Sequence, residues 1–523
     1  MKSTAVPDRA RNTGEAMDLR IHRVASATFG ALVLAMSLGT GTARAQAPGS
    51  AALVVAEDVV PQTFDPTQSS QIRTWYAWQL VYEGLVRANA DGKIEPVLAT
   101  RWTVDSAMTT YEFTLREGVK FSDGSAMSAD DVVASFQRLA QGGLPYAKDR
   151  FKHVETITKV NDRTVRFKLK QPDAGFLLNV GSPFVVGSAI LSAKWLQSND
   201  PKLAMMGTGP FQMVSYQPNT QLVLKRNDAY WNKESAATVT DLTIRYMPEQ
   251  SAQIAALRSG QVDLMFPSAE SRLQLRGAAG ITTVAVSSTN TVRLNINTNR
   301  PPFNNVDFRR AMSLALNRAE IVQGAFLGEG VPSAQVPPSY AWSPKLSELK
   351  YQKHDVAQAK ALLAKAGYPN GVDITLNHLA GYATYLDRFA EILKTQMAQV
   401  GIRVAIQANQ NAVWLDKQNK ADYEIMDNEY AYQADPLFYL MPRPGRQGPT
   451  PPEMADLITK TQTGTAEEYT ASLRKIAIMQ DDLVYPDISV AARNAWVAHS
   501  AKVASAKPDP TLSRTFLATV RLK

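Results

Sequence analysis

Two stretches early in the chain alternate between apolar and polar residues, as half-buried β-strands do. They cover residues 111–116 (Tyr-Glu-Phe-Thr-Leu-Arg) and 165–169 (Val-Arg-Phe-Lys-Leu). Successive side chains of a strand point to opposite faces, so a period of two places the apolar residues on one side. Both stretches are therefore predicted to be strands with one buried face.

Apolar residues at helical spacing follow a capping signature at residues 128–131. The oxygen of Ser128 can bind the third helical N–H, which favours a helix start at this point. The apolar stripe of the predicted helix consists of Val132, Val133, Phe136 and Leu139.

Three further helices are predicted farther along the chain. They follow Asp307, follow Asp355 and cover 385–400. Gly401 ends the last of them, and residues 402–406 then have the pattern of a strand. Helix, glycine and strand in this order indicate a mixed α/β fold, with a partly parallel and doubly wound lobe.

Glycine and proline mark several turns. Gly118, Gly124, Gly207 and Gly209 are predicted to occupy tight turns, where a side chain would clash or the backbone needs a positive φ. The segment 441–452 is rich in proline and glycine, and we predict a surface loop there.

The length of the chain predicts its number of domains, and its composition excludes several kinds of site. The chain has 523 residues, 45% of them hydrophobic, and no cysteine. At roughly 150 residues per domain this length predicts about three domains. Without cysteine there is no disulfide framework, thiolate metal site, cysteine nucleophile or lipid-modified cysteine.

The first 45 residues have the pattern of an export signal. A basic start at Arg20 and Arg23 precedes the largely apolar run 24–38, and Ala43-Arg44-Ala45 (43–45) is a small-residue cleavage pattern. We predict Met17 as the initiator, cleavage after residue 45, and a periplasmic protein that is not lipid-anchored. A retained anchor helix is the alternative, although the run is shorter than the roughly 20 residues that a span needs.

The predicted leader carries part of the positive charge. Residues 1–45 contain six Lys or Arg and three Asp or Glu, so the net charge falls from +8 to +5 on removal of the leader. The remaining basic residues are interspersed with acidic ones. Nucleic acid is therefore not expected as a partner.

Ordered short motifs extend over the whole predicted mature chain. They include 64–66 (Phe-Asp-Pro), 82–86 (Tyr-Glu-Gly-Leu-Val), 111–124 (Tyr-Glu-Phe-Thr-Leu-Arg-Glu-Gly-Val-Lys-Phe-Ser-Asp-Gly), 207–211 (Gly-Thr-Gly-Pro-Phe), 260–263 (Gly-Gln-Val-Asp), 316–318 (Leu-Asn-Arg) and 366–368 (Ala-Gly-Tyr). In this order they resemble bacterial solute-binding protein family 5. This family comprises the dipeptide, oligopeptide, nickel, glutathione and opine receptors of ABC importers.

The resemblance implies an α/β, two-lobed periplasmic-binding-protein fold of class II, cluster C type, with an extra domain. After the segment 1–45, lobe I would comprise 46–76, 207–285 and 495–523. The extra domain would be 77–206, and lobe II would be 286–494.

The resemblance also implies a ligand cleft between the lobes, and four segments of this sequence would line it. The predicted ligand contacts are Arg73, Trp75, Tyr76, His378, Tyr382, Trp414, Tyr430, Tyr432 and Asp435. Aromatic side chains offer large rigid faces at small entropic cost, and an arginine can hold a carboxylate bidentately. The alternative for each aromatic residue is a core or surface position.

The sequence departs from the peptide receptors at the positions that would anchor a peptide's ends. Tyr432 stands where these receptors usually have an aspartate for the ammonium group, and no arginine for the carboxylate lies between His378 and Tyr385. Asp427 or Glu429 could still reach an amine. Each lost charge-assisted bond is worth about 1.5–3 kcal/mol, so a simple dipeptide is disfavoured. A modified or longer peptide, an opine or sugar conjugate, or another polar organic solute is expected.

The sequence offers no recognisable catalytic or metal-binding motif. The four histidines beyond residue 45 have no ligand spacing, and no nucleophile or acid–base motif is present. We therefore predict a monomeric, cofactor-free, non-enzymatic solute-binding component of an ABC importer, which delivers its ligand to an inner-membrane permease. The alternatives are a secreted hydrolase that uses the same cleft, and a peptide-binding chaperone or sensor partner.

Overall fold

The computed structural model describes residues 51–68, 72–88, 94–144, 151–173, 176–181, 188–430, 436–463, 466–508 and 513–523. The strands are β1 (Ala52–Glu57), β2 (Val86–Ala88), β3 (Ile94–Pro96), β4 (Ala99–Val104), β5 (Thr110–Leu115), β6 (Val154–Asn161), β7 (Thr164–Leu169), β8 (Phe211–Gln217), β9 (Gln221–Arg226), β10 (Asp241–Tyr246), β11 (Leu264–Met265), β12 (Ile281–Ile296), β13 (Gly330–Pro332), β14 (Val372–Leu379), β15 (Ile402–Asn409), β16 (Ile425–Tyr430), β17 (Asp487–Ser500), β18 (Val503–Ser505) and β19 (Arg521–Leu522).

Helices separate most of these strands. The α-helices are Ile72–Trp78, Ala129–Gly142, Phe176–Gly181, Ala193–Leu196, Gln250–Arg258, Ala269–Leu275, Val306–Ala315, Arg318–Gly324, Val356–Lys365, Thr384–Ala398, Asn411–Asn419, Pro444–Gln447, Pro452–Thr463 and Ala466–Leu483. The segments Leu346–Glu348, Pro436–Tyr439 and Arg514–Thr519 form 3-10 turns. None of the helices in the described ranges is long and apolar enough to cross a membrane.

Eleven of the described strands form one large sheet. Its order is β15-β14-β16-β12-β17-β11-β1-β10-β9-β8, with β13 added beside β17. β1 is parallel to β10 and β11, and β14 is parallel to β15 and β16. These two parallel groups, each with helices in its connections, confirm the predicted α/β class and the partly parallel lobe.

The large sheet has two halves, which the long antiparallel strands β12 and β17 connect. We call β8, β9, β10, β1 and β11 with their helices, together with residues 495–523, the first half. Residues 286–494, which contain β16, β14 and β15 with their helices, are the second half. The ladder between β12 and β17 changes register between Ser287 and Thr291. The predicted lobe boundaries fall beside this change, because Val286 lies opposite Ala495 in the ladder. The boundaries themselves stay a prediction.

Each half of the sheet has its own hydrophobic packing. Leu275 of helix Ala269–Leu275 packs in a cluster with Met265 and Ala498 in the first half. Leu386 and Phe389 of helix Thr384–Ala398 belong to a different cluster in the second half. The two halves thus do not share one continuous core at these helices.

The predicted extra domain, 77–206, contributes the four-stranded sheet β4-β5-β7-β6. Its apolar residues are part of the same core cluster as β1, β9 and β10. The buried carboxylate of Glu83 accepts hydrogen bonds from Thr208, Tyr230 and Trp231, each at 2.8 Å. Apolar packing and this buried acceptor therefore attach the segment firmly to the first half.

The structure confirms most of the local predictions. β5 and β7 cover the two alternating stretches, and Ser128 forms a capping box with Asp131 at the start of helix Ala129–Gly142. Asp355 caps its helix by accepting a hydrogen bond from the backbone of Gln358.

Two local predictions need correction. The helix predicted to follow Asp307 begins at Val306, because Asn305 provides the capping oxygen. The segment 441–452 is not simply a surface loop. It contains helix Pro444–Gln447, and Gln447 is buried.

Gly207 illustrates a position that excludes any side chain. A Cβ atom at this position would lie 2.1 Å from the carbonyl oxygen of Val81 and 2.8 Å from Cδ1 of Tyr82. Such distances are far below van der Waals contact, so the close backbone approach requires glycine. The predicted structural role of Gly207 is confirmed.

Candidate functional site

The parallel strands of both halves end at the region where β12 and β17 cross from one half to the other. We call the row of strand ends in each half its carboxyl edge. β11 runs antiparallel to β17, and its last residue, Met265, lies opposite Ala498. β16 runs antiparallel to β12, and its last residue, Tyr430, lies opposite Thr291. The two carboxyl edges therefore face each other across the register change. Ligands of open α/β sheets bind outside the carboxyl ends of the strands.

In the second half, a histidine lies between two carboxylates at this edge. Nδ1 of His378 is 2.5 Å from Asp427 Oδ2, and Nε2 is 2.8 Å from Asp387 Oδ1. Burial opposes protonation of His378, but the hydrogen bonds and charges of both aspartates outweigh it and raise its pKa. The backbone N–H of Leu379 donates to the other oxygen of Asp427 at 2.9 Å. Both ring nitrogens and both oxygens of Asp427 are thus occupied by protein groups.

A second polar group adjoins this edge beside the passage between the halves. Glu429 accepts hydrogen bonds from the hydroxyl of Tyr385 at 2.5 Å and from Arg493 of β17 at 2.8 Å. The Arg493 guanidinium also stacks 3.6 Å from the centre of the Tyr385 ring. Burial and the charge of Glu429 raise the pKa of Tyr385, so its hydroxyl remains a donor. The charge of Glu429 is balanced internally by Arg493.

In the first half, the corresponding edge carries an arginine between aromatic rings. Arg514 pairs with Glu57, the last residue of β1. Its guanidinium lies 3.8 Å from the centre of the Tyr76 ring and 3.3 Å from that of Phe266. This arrangement offers planar aromatic surface next to a paired charge.

Ion pairs also connect the two halves directly. Glu270 of the first half accepts hydrogen bonds from Arg388 at 2.9 Å and from the hydroxyl of Thr384 at 3.1 Å, both in the second half. Arg272 lies 2.7 Å from Glu329, which follows the second-half helix Arg318–Gly324. Both acid–base pairs originate from the short helix Ala269–Leu275.

The structure places the predicted contacts of the first segment in helix Ile72–Trp78. Trp75 is a buried member of the core, and Tyr76 is half-buried under Arg514. The side chain of Arg73 lies outside the described part of the structure. Of these three, Tyr76 is the one that the structure places against the arginine at the carboxyl ends of the first-half strands.

The predicted contacts near the carboxyl end of β14 differ in exposure. Tyr382 is 57% exposed, whereas His378 is 5% exposed and bonded on both nitrogens. Direct contact of a ligand with His378 would have to displace an aspartate. Tyr382 is therefore much the more solvent-exposed of these two candidates.

Trp414 is buried in a small cluster with Leu379, Tyr423 and Met426. Its indole N–H has no hydrogen-bond acceptor among the described residues. Because a buried donor without a partner costs about 1–3 kcal/mol, this N–H is a candidate donor to a ligand. Trp414 is only 3% exposed, so its ligand contact stays a prediction beside the alternative of a core position.

Tyr430 projects into a polar network in the second half. Its hydroxyl accepts hydrogen bonds from Asn295 at 2.7 Å and from Arg443 at 2.8 Å, and Arg293 lies over its ring. Tyr432 and Asp435 lie outside the described residues. The predicted ligand contacts therefore stay predictions, and the structure brings only some of them to one edge.

The sequence predictions did not include Arg493, Arg514, Glu57 or Glu270 as site residues. Each lies at or beside the two carboxyl edges, but distant in sequence from its partners. Glu429 and Asp427, which we considered as possible amine anchors, are both occupied by protein cations and donors. Within the described ranges, no group of three or more His, Asp or Glu residues could hold a metal ion.

Comparisons with known proteins identify a family and several relatives of this chain. The family model of the bacterial extracellular solute-binding proteins, family 5 (middle region), matches residues 93–447. The glutathione-binding protein GsiB of Salmonella typhi is 29% identical over 379 residues, which are 71% of this chain and 72% of that protein. The dipeptide-binding protein of Escherichia coli strain K12 is 27% identical over 435 residues, 77% of this chain and 80% of that protein.

A solved structure has the same fold over nearly its full length. It is the periplasmic binding protein DppA of Helicobacter pylori in complex with the peptide STSA. This structure is 25% identical in sequence and superimposes with a TM-score of 0.73. The superposition covers 90% of this chain and 98% of that chain.

Proposed function

Because this chain belongs to family 5 of the bacterial extracellular solute-binding proteins, we propose that it is the periplasmic solute-binding component of an ABC importer. It captures a small polar organic solute between the two halves of the large sheet and delivers it to an inner-membrane permease. The observation that carries the proposal is the convergence of both carboxyl edges on the passage of β12 and β17 between the halves.

Capture requires no covalent chemistry. A solute that contacts both edges binds the closed arrangement more tightly than the open one and therefore shifts the population toward it. β12 and β17 form the hinge for this movement in our proposal, since the register change of their ladder lies between the halves. The closed form is then the one that docks on the permease.

The internal pairing of the cleft carboxylates supports a particular class of solute. Asp427 is held by His378, and Glu429 is held by Arg493 and Tyr385. Neither carboxylate is poised to bind a ligand ammonium group. The relatives are named for glutathione and dipeptides. For this chain, a modified or longer peptide, an opine or sugar conjugate, or a related solute fits better than a free dipeptide held by its amine.

The protein acts as a monomer without a cofactor and without catalysis. Families of transport receptors bind and release their solute unchanged, and the named relatives are binding proteins. A secreted hydrolase and a peptide-binding chaperone or sensor partner remain the competing functions. Neither nucleic acid nor a resident metal has a role in this proposal.

Export through the predicted leader, residues 1–45, completes the proposal. Cleavage after Ala45 would release a soluble periplasmic receptor without a lipid anchor, since the sequence contains no cysteine. The intact mass of the protein purified from a periplasmic fraction tests this part. A mature chain that begins at Gln46 is expected.

The decisive experiment identifies the solute. We would purify the protein from its native periplasm, analyse it by native mass spectrometry, and identify the released solute after denaturation. One polar organic molecule per chain is expected, and calorimetry should show its rebinding without turnover. Conversion of the solute would favour the hydrolase, and binding of unfolded polypeptides instead of a solute would favour the chaperone.

A further inference from the structure

We propose that Glu270 is a positioning residue for solute capture, because it holds the two halves at a defined angle through Arg388 and Thr384. The Glu270 carboxylate bonds the Arg388 guanidinium at 2.9 Å and the Thr384 hydroxyl at 3.1 Å. Both partners lie in the first two turns of helix Thr384–Ala398. A carboxylate at this end of a helix is also favoured by the helix dipole.

The elements that this contact connects belong to different hydrophobic clusters. Helix Ala269–Leu275 packs through Leu275 in the first half, whereas helix Thr384–Ala398 packs through Leu386 and Phe389 in the second. The contact can therefore break without exposing either cluster. A contact that opens and closes during solute capture needs this property. We call the contact of Glu270 with Arg388 and Thr384 the latch.

A second ion pair, which also starts from helix Ala269–Leu275, connects the two halves as well. Arg272 is 2.7 Å from Glu329, whose side chain is almost completely buried. The Arg272 guanidinium also lies 4.2 Å from the centre of the Trp496 ring, on the part of β17 that belongs to the first half. The helix Ala269–Leu275 thus contacts the second half through one acidic and one basic side chain.

The latch is coupled to the cleft through a single helix. Tyr385 is the neighbour of Thr384 in helix Thr384–Ala398, and it bonds Glu429 while stacking on Arg493. A displacement of this helix relative to Glu270 therefore also displaces the Tyr385 hydroxyl at the cleft edge. Glu270 does not touch the solute in this proposal; it acts through the helix that carries Tyr385.

The inference rests on the proposed closing of the two halves, but its test needs no solute. The chain has no cysteine, so two introduced cysteines carry spin labels without background. Val214 on β8 and Val413 on helix Asn411–Asn419 are 59% and 49% exposed and lie in different halves. Pulsed electron resonance on the solute-free V214C/V413C protein then reports the distribution of distances between the halves.

Glu270→Gln and Arg388→Glu should each shift this distribution toward longer and broader distances. Loss of one partly exposed ion pair is expected to change the ratio of open to closed forms by about fivefold. The exchanged pair Glu270→Arg with Arg388→Glu should restore part of the original distribution. Restoration is incomplete because Arg388 also donates to the carbonyl oxygen of Ala325 at 2.9 Å, and this bond is not regained. Glu249→Gln is the matched control, because Glu249 is exposed and its side chain makes no capping hydrogen bond.

A thermal melt accompanies each variant, since a merely structural role would lower the melting temperature without moving the distances. Unchanged distances in both single variants, or no restoration in the exchanged pair, would overturn the latch. Solute binding with unchanged distances would overturn the latch and leave the proposed receptor function intact. Absence of any bound solute in the unmodified protein would instead count against the receptor function.

Discussion

Trp414 gives the most specific test of the cleft at the scale of single residues. Its buried N–H has no acceptor among the described residues, while its ring packs on Leu379, Tyr423 and Met426. Trp414→Phe keeps most of the ring and removes the donor. We expect about a three- to tenfold loss of affinity for the co-purified solute in calorimetry, as for one neutral hydrogen bond.

Trp102→Phe is the matched control for this substitution, since Trp102 lies on β4 in the separate four-stranded sheet. It should leave the affinity unchanged. Equal affinities of Trp414→Phe and the unmodified protein would remove the indole N–H from the set of ligand donors.

His378 makes the stability of the second half dependent on pH. Its pKa is raised above 6.5 because Asp427 and Asp387 outweigh the effect of burial. The charged imidazole therefore stabilises the folded state fully below about pH 6.5, and this contribution is lost as the pH rises through the folded-state pKa. The melting temperature of His378→Gln should fall furthest below the unmodified protein at low pH, and the difference should shrink as the pH rises.

His354→Gln serves as the control for this pH series, because His354 is exposed. It should melt like the unmodified protein at every pH. A difference for His378→Gln that grows with pH would contradict the charged state assigned to this histidine.

Single-residue chemistry was only partly predictable from the sequence. His378 and Tyr382 were identified as candidates, but their opposite exposures depend on how helix Thr384–Ala398 packs beside β14. Arg388 and Glu270 are 118 positions apart in the sequence, so nothing local indicates their contact. Long-range ion pairs of this kind become visible only when the fold is known.

At the scale of elements, the periodicity of apolar residues predicted short strands and helices correctly. It missed elements in which this pattern is interrupted. Apolar and polar residues alternate strictly in β5 and β7. The helix start at Ser128 could be predicted because the side-chain oxygen of this residue caps the helix. The 16-residue β12 was not predicted, because Ser287, Ser288 and Thr289 interrupt its apolar pattern. The segment 441–452 was predicted to be a loop from its glycines and prolines, yet part of it is helical and buried. Turn-forming residues indicate a break in regular structure, not exposure to solvent.

The close approach of Gly207 to residues 81–82 leads to a prediction about the junction of elements. Gly207→Ala would place its Cβ 2.1 Å from the Val81 carbonyl oxygen, so the backbone would have to move. Overpacking of this kind costs about 1–3 kcal/mol, or more where backbone must shift. Urea denaturation should show a loss of unfolding free energy of at least this size.

Gly142→Ala provides the comparison for this variant, because a Cβ at Gly142 would meet no atom within 4 Å. Its unfolding free energy should rise by about 0.4–1 kcal/mol, because alanine fits the helical backbone of Gly142 and restricts the unfolded chain. Equal stabilities of the two alanine variants would show that the backbone near Val81 yields easily.

At the scale of the whole molecule, the hydrophobic clusters define the cooperative units. One cluster joins the segment 77–206 to β1, β9 and β10, while another supports the second half. Hydrogen exchange in the native state should therefore show the amides of β5 and β7 opening together with those of β1 and β10. The amides of β14 and β16 should form a separate unit.

Exchange of β5 and β7 at a clearly lower free energy than β1 would show instead that the segment 77–206 opens on its own. The sequence alone could not decide between these outcomes. The predicted boundaries came from the family resemblance, whereas the shared core depends on which apolar faces meet after folding.

The pairing of Val286 with Ala495 has a consequence for how such receptors diversify. The chain enters the second half through β12 and leaves it through β17, so the two ends of the intervening segment are neighbours in one ladder. The second half is therefore one continuous segment whose first and last residues lie next to each other. Recombination at these two positions would exchange one wall of the cleft as a block, while the opposite wall and its packing stay in place.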